Sequence, residues 1–475
     1  MSETHTAPDA ASQTGLSTGR NLKIGLFHLG SGMADVITTG IWNRIMISDL
    51  GFSATPIGLL VALRYFLAPL GVWAGRQSDQ RQLGGYRRLV WIWGGRLLMA
   101  ISIALLGITT ASLVEGNPAD ALHWAVIAIS LLMFSLGNAF SGSTFLALIY
   151  DRSREEQRGR AVGIVWTFLL LGFTVGGILF GVLLPSSEGA AETAAQTGIG
   201  FTSQTVLTLF VVAAGVLALL WFVSLVGEEK RHSRAASKQE EREAQSSSLR
   251  ADLRLAWSNR QTRFFFWFLS LSMLFAFSQD LILEPFAGDV FGMEARHTTR
   301  FAAYWGSMAI LGTIVFLFLG RRYKRLTNTV MSTIGVSVLI LTFALFALSS
   351  FAEIRGLVTP GLITLGIGLG IWNVGALGLM MEMSPFGKAG TFLGFWTLVV
   401  TLSRGIGVSG GGIVRDIALG LSGNDNFAYG LAFALGVIGL SISLWALRHV
   451  NVAQFRQSYE RQPADAQTVF AGGMD

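Results

Sequence analysis

Apolar residues along the 475-residue chain follow neither the alternation of a half-buried strand nor the three-to-four spacing of a surface helix. They come in long blocks with few interruptions. About 20 helical residues, at a rise of about 1.5 Å each, cross a hydrocarbon core of about 30 Å. Twelve blocks meet that length: 22–47, 55–75, 88–111, 122–149, 160–184 and 203–226, then 264–288, 298–320, 327–349, 355–381, 390–413 and 427–449. Lipid offers backbone amides and carbonyls no water, so each block is predicted as a helix that closes its own hydrogen bonds. The first block is the least uniform, because His28, Asp35, Asn43 and Arg44 interrupt it. Residues 1–21 form a polar tail and lack the apolar stretch of a cleavable signal peptide.

Charge placement orients the blocks. With Lys23 and Arg448 counted at the edges, 27 of the 35 Lys and Arg fall on the side of the two termini. Only Arg296, Arg300, Arg355 and Arg415 fall in the opposite loops, while Arg44, Arg64, Arg96 and Arg404 lie within blocks. Basic loops stay cytoplasmic, so both termini are predicted cytoplasmic, in a multi-pass inner-membrane protein. The net charge of +6 then reflects topology and calls for no nucleic acid. Composition agrees: 51% of residues are hydrophobic, 13% are charged against about 25% in globular proteins, and mean hydropathy is +0.53. A soluble enzyme and a disordered scaffold are excluded. The absence of cysteine excludes thiolate metal sites, disulfides and cysteine nucleophiles.

The longest inner segment, 227–263, divides the chain into six plus six blocks. The expected organisation is a cytoplasmic tail (1–21), a six-helix bundle (22–226), a cytoplasmic linker (227–263), a second six-helix bundle (264–449) and a final tail (450–475). Within the linker, Leu249, Leu253, Ala256 and Trp257 share one helical face, which predicts a short helix on the membrane surface. The halves echo each other: Asp35 lies in the first block and Asp280 in the seventh. Arg158-Gly159-Arg160 follows the fourth block, and Gly387-Lys388 follows the tenth.

Gly75-Arg76-Gln77-Ser78-Asp79-Gln80-Arg81, between the second and third blocks, resembles the G-x-x-x-D-[RK] loop of the major facilitator superfamily. It departs from that pattern by Gln80 and by extra residues before Gly85-Tyr86-Arg87-Arg88. Three further stretches look like the PucC/LhaA, or bacteriochlorophyll delivery, branch. They are Gly40-Ile41-Trp42-Asn43-Arg44-Ile45-Met46-Ile47, Ala68-Pro69-Leu70-Gly71-Val72-Trp73 and Gln279-Asp280-Leu281-Ile282-Leu283-Glu284-Pro285-Phe286. The resemblance implies an all-α membrane fold of twelve helices in two six-helix pseudo-repeats. It implies assembly of light-harvesting antennae in a phototrophic bacterium, by handling (bacterio)chlorophyll or escorting nascent antenna polypeptides. Expected partners are the lipid bilayer, antenna polypeptides and chlorophyll-type pigment, with pigment-synthesis enzymes or reaction-centre assembly intermediates as further candidates. Gly75, Asp79, Arg87 and Arg88 are expected to act as a conformational latch.

An ionised side chain at the bilayer centre costs about 3 kcal/mol or more unless it is paired or hydrated. Asp35 and Arg64 lie at similar depth, which makes them candidate partners; Arg404 is the candidate partner of the acids in the seventh block. Asp280 and Glu284, four residues apart, are expected to share one helical face. Candidate pigment- or substrate-binding residues are thus Asp35, Asn43, Arg44, Arg64, Asp280, Glu284, His28 and Arg404. They support two readings, a pigment handler and a proton-coupled small-molecule exporter. Buried structural pairs are the plain alternative for each.

Other motifs lead less far. No two histidines have metal-ligand spacing, and no Ser/His/Asp arrangement or phosphate loop is present, so neither a metal site nor an enzyme is expected. Gly405-Ile406-Gly407-Val408-Ser409-Gly410 spells a dinucleotide fingerprint without a preceding strand. Its glycines, like Gly172 and Gly176, read better as close helix contacts. Trp42, Trp91, Trp93, Trp221 and Trp445 are predicted for interfacial belts, and Phe264-Phe265-Phe266-Trp267-Phe268 for a flat surface toward lipid.

Overall fold

The computed structural model describes residues 17–80, 84–117, 119–153, 155–197, 199–229, 257, 259–384 and 389–460. All its regular elements are helical, and ten helices are long and apolar enough to cross a membrane. Two further crossings are built in pieces. Span 1 runs through an α-helix (Thr18–Asp35), a π-helical stretch (Val36–Ile41), a single α turn (Trp42–Arg44) and a second π-helical stretch (Ile45–Asp49). Span 7 consists of Arg260–Ala276 and Leu283–Phe291, separated by turns over 277–282. The sequence predicts one continuous helix there, so the shared face inferred for Asp280 and Glu284 does not hold. Asp280 lies in the break, and Glu284 lies in the helix beyond it.

The remaining spans are 2 (Ala54–Phe66 with Ala68–Gln80), 3 (Leu89–Val114), 4 (Ala121–Arg152), 5 (Glu155–Leu183) and 6 (Ser203–Leu225), then 8 (Phe301–Arg322), 9 (Asn328–Phe351), 10 (Val358–Glu382), 11 (Ala389–Ser422) and 12 (Asp425–Arg448). Two shorter helices were not expected from hydropathy: Ser187–Thr197 between spans 5 and 6, and Val452–Glu460 after span 12.

The pairing of spans repeats. Span 1 packs on 5 and 6, span 3 on 4 and 6, and span 2 on 4; likewise span 7 packs on 11 and 12, span 9 on 10 and 12, and span 8 on 10. The principal contacts between the two sets, 2 with 11 and 5 with 8, are themselves equivalent under that repeat. A pseudo-twofold arrangement of six plus six helices follows. Close approach depends on small residues: a Cβ on Gly32 would overlap the Leu169 carbonyl oxygen, and one on Gly172 would overlap that of Leu29. A Cβ on Gly407, within the fingerprint-like run, would overlap the Leu274 carbonyl.

Several aromatic expectations change. Trp42 and Trp221 are core residues, and Trp42 Nε1 donates to Thr110 Oγ1 at 3.0 Å. A buried indole N–H is costly without an acceptor, so this Trp is fixed by span 3 and takes no part in an interfacial belt. Phe265 and Phe268 are fully buried, while Trp267 is 51% exposed. Helical periodicity divides the aromatic run between core and surface, so it forms no flat lipid-facing patch. The predicted surface helix from Leu249 and the Arg158–Arg160 side chains lie outside the described residues, as do residues 385–388.

Candidate functional site

Charged side chains meet where the two pseudo-repeats touch. Arg64 Nη1 donates to Asp35 Oδ1 at 2.5 Å, and Arg404 Nη2 donates to Asp280 Oδ2 at 2.8 Å. The first pair joins neighbouring spans 1 and 2; the second joins spans 7 and 11. Because spans 2 and 11 pack against each other, both guanidinium groups reach one interface. Tyr65 lies between them: the Arg64 Cζ is 4.9 Å and the Arg404 Cζ is 5.1 Å from its ring centroid. Phe277 takes the Arg404 guanidinium at 4.1 Å. The aromatic faces therefore separate two like charges while attracting each. Sequence depth suggested both acid–base pairs; nothing in the linear order pointed to Tyr65 or Phe277.

Both irregular backbones border this hub. The Thr39 hydroxyl bonds back to the Asp35 carbonyl at the start of the π-helical stretch, and the Gln279 amide donates to Asp280 Oδ1 at 2.7 Å. Asp35, Thr39, Gly40, Asp280, Glu284 and Arg404 line a cavity of about 30 Å³. With roughly 10–15 Å³ of this measure per water, it has room for about two or three waters and for no macrocycle. Glu284 is buried; its carboxylate accepts from its own backbone amide and forms no ion pair among the described residues. Pro285 lies in the first turn of Leu283–Phe291, where a missing N–H is tolerated.

Other predicted residues lie elsewhere. Arg44 sits beyond the hub, toward the end of span 1. Its Nη1 is 3.0 Å from Asp49 Oδ1, and its Nη2 donates to the Met293 carbonyl at 3.0 Å. The Asn43 amide donates to the Thr39 carbonyl at 2.5 Å, so it serves the π-helical backbone. His28 lies nearer the start of span 1, against Phe145 (5.0 Å between centroids), Phe27 (5.7 Å) and the edge of Trp166 (6.1 Å). Its Nδ1 is buried without a hydrogen-bond partner. Arg96, also buried, stacks on Phe27 at 4.2 Å and Trp221 at 4.9 Å and pairs with no carboxylate among the described residues.

Two polar clusters bracket the hub. At the end where span 1 finishes, Asp416 of span 11 accepts the amides of Ala54 (3.1 Å) and Thr55 (2.7 Å). It caps the first turn of span 2, which its own Ser53 side chain does not. Arg415 beside it bridges Asp289, Asp416 and Asp425 at 3.0–3.1 Å, and Tyr429 Oη donates to Asp289 at 2.6 Å. At the opposite end Glu229 accepts the amides of Arg87 (2.7 Å), Arg88 (3.0 Å) and Leu89 (2.8 Å), capping span 3. Arg88 donates to Asp151 at 3.0 Å and to Ser78 Oγ at 2.7 Å. These bonds join spans 2, 3 and 4 of the first repeat. Gly75 lies in span 2; the side chain of Asp79 lies outside the described residues.

Residues 41–455 match the family described as PUCC protein. The chain is 27% identical to Protein PucC of Rhodovulum sulfidophilum over 414 residues, covering 86% of this chain and 87% of that one. It is 29% identical to a Rhodobacter capsulatus protein named Bacteriochlorophyll synthase 44.5 kDa chain, with coverage of 86% and 90%. Among solved structures, it resembles a bacterial homologue of the human lysosomal transporter Spinster in its inward-facing, occupied conformation. That match has a TM-score of 0.68 at 13% identity, over 94% of this chain and 98% of the other. A D-xylose–proton symporter matches with a TM-score of 0.62 at 13% identity, over 92% and 98%. At such identities the structures speak for the fold alone: it is the transporter fold of the major facilitator type, in a multi-pass membrane protein. The match over residues 41–455 goes further, and the chain belongs to the PucC family.

Proposed function

We propose that the protein is a light-harvesting antenna assembly factor of a phototrophic bacterium and catalyses no reaction of its own. It binds or delivers (bacterio)chlorophyll, escorts nascent antenna polypeptides, or does both, in contact with pigment-synthesis enzymes or reaction-centre assembly intermediates. The family match over residues 41–455 carries this reading, and the names of the relatives support it. In this reading the chain sits in the inner membrane with both termini and the 227–263 linker cytoplasmic, between bundles 22–226 and 264–449.

Asp35, Arg64, Asp280 and Arg404 serve as the ionic joint between the halves, with Glu284 as the unpaired acid of its cavity, Asn43 bonded to the span 1 backbone beside it, and Arg44 pairing further along span 1. Gly75, Asp79, Arg87 and Arg88 form the conformational latch. A chlorin ring exceeds the 30 Å³ central void many times over, so pigment is taken away from that void. His28 would be the side chain that holds the pigment's metal, since its buried Nδ1 has no hydrogen-bond partner and Phe27, Phe145 and Trp166 flank it. The test is the absorption spectrum of the protein purified from its native membrane. A stoichiometric red-region band that His28→Phe removes supports the reading, and a colourless protein that leaves antenna assembly intact when deleted overturns it.

One observation favours a second reading, a proton-coupled exporter: Glu284 is a buried carboxylate without a recorded ion pair beside two ionic ones. In proteoliposomes, Glu284→Gln would then abolish proton-driven solute movement. Unchanged antenna assembly in that variant would leave Glu284 no part in the first reading.

A further inference from the structure

A cavity of about 840 Å³ opens at the end of span 12. The start of span 7, the start of span 9, the end of span 10 and the terminal helix Val452–Glu460 complete its walls. Hydrogen bonds build one side: the Gln261 amide donates to Gln454 at 2.9 Å, the Asn451 amide donates to Gln261 at 2.7 Å, and Asn259 donates to Ser458 at 2.7 Å. Buried Phe455 anchors the terminal helix.

Arg260, Arg448 and Arg456 line this cavity, and none pairs with a carboxylate among the described residues. The one lining acid, Glu382, accepts from Asn328 at 3.1 Å. Phe264 lies within reach of the Arg260 guanidinium (5.5 Å) and stacks on His449 (5.1 Å). Three like charges around one cavity repel each other, and an anion relieves that repulsion. Guanidinium forks fit phosphate oxygens in pairs.

A second feature names the source of the phosphate. Ile438, Ile442 and Trp445 are 56%, 48% and 57% exposed. Their spacing continues to His449, so an apolar stripe on one face of span 12 runs from the bilayer to the cavity rim. We propose that the cavity binds the phosphate headgroup of an anionic phospholipid whose acyl chains lie along this stripe. Basic pockets at helix ends suit such headgroups, and the assignment is independent of the antenna reading.

The test uses the full-length protein, delipidated in detergent. Phosphatidylglycerol is expected to raise its melting temperature, phosphatidylcholine to leave it unchanged, and inorganic phosphate to do little at matched concentration. The triple variant Arg260→Gln/Arg448→Gln/Arg456→Gln should lose that response. Arg321→Gln/Arg322→Gln/Arg325→Gln, which removes equal charge nearby without touching the cavity, should keep it. Should the cavity triple fold poorly, Arg448→Gln alone is expected to weaken the apparent lipid affinity about tenfold. An equal loss in the control triple, or a full response in the cavity triple, overturns the proposal. Stabilisation by inorganic phosphate matching that by phosphatidylglycerol overturns the lipid assignment and leaves a free-phosphate site.

Discussion

Spans 1 and 7 hold the same position in the repeated pairing scheme, and each carries an aspartate that meets an arginine at the joint between the halves. Their backbones differ. Span 1 stays helical and widens into π turns after Asp35, whereas span 7 gives up helical bonding over 277–282, where Asp280 sits. The arginine partners differ too: Arg64 comes from span 2, next in sequence, and Arg404 from span 11, remote in sequence but packed on span 7. Pseudo-symmetry thus fixes which helices meet, and local backbone irregularity then aims each carboxylate. Irregular backbone at membrane depth is tolerated where it is buried in protein or lines a cavity, and the hub's backbone borders a small one.

The largest effect should separate the two pairs. Asp35→Asn leaves Arg64, whose side chain is only 6% exposed, buried and uncompensated and is expected to cost about 3 kcal/mol of stability. Asp280→Asn should cost about half as much, because the guanidinium it leaves behind, Arg404, is 24% exposed, so water screens the loss. Unfolding of both variants in detergent would measure the difference, and a reversed order would break the contrast. Asp416→Ala comes next, at about 1 kcal/mol for the lost cap on span 2. Spin labels on spans 2 and 11 should report a wider separation at that end; an unchanged distance would confine the cap to a role within one conformation. Smallest is Pro285→Ala, expected to shift stability by no more than about 1 kcal/mol. A larger change would mean that the proline, and not the turns before it, sets the break in span 7.

Hydropathy revealed the crossings because lipid permits so few alternatives for a polar backbone. It did not reveal where a crossing departs from α geometry. Asp35 and Asp280 look alike in sequence, and the choice between a π-helical stretch and a break depends on contacts from other spans. Ser187–Thr197 escaped notice because alanines give it too little apolar length. The charged halves of the hub were legible through the cost of burying them, while Tyr65 was hidden, since an aromatic in an apolar block has no visible reason to be singular. The same holds for Glu229 and Asp416: each caps a helix far away in sequence, and such partnerships exist only in three dimensions.

Because the carboxylate that finishes span 2 belongs to the opposite half, separating the halves at that end strips two amides and the Asp416 oxygens of their mutual bonds. Solvent must take over each of them, whereas the pairs around Arg415 lie within the second half and stay closed. The splayed form is therefore the wetter one, and lowering water activity with an excluded osmolyte should push the population back toward the arrangement seen here.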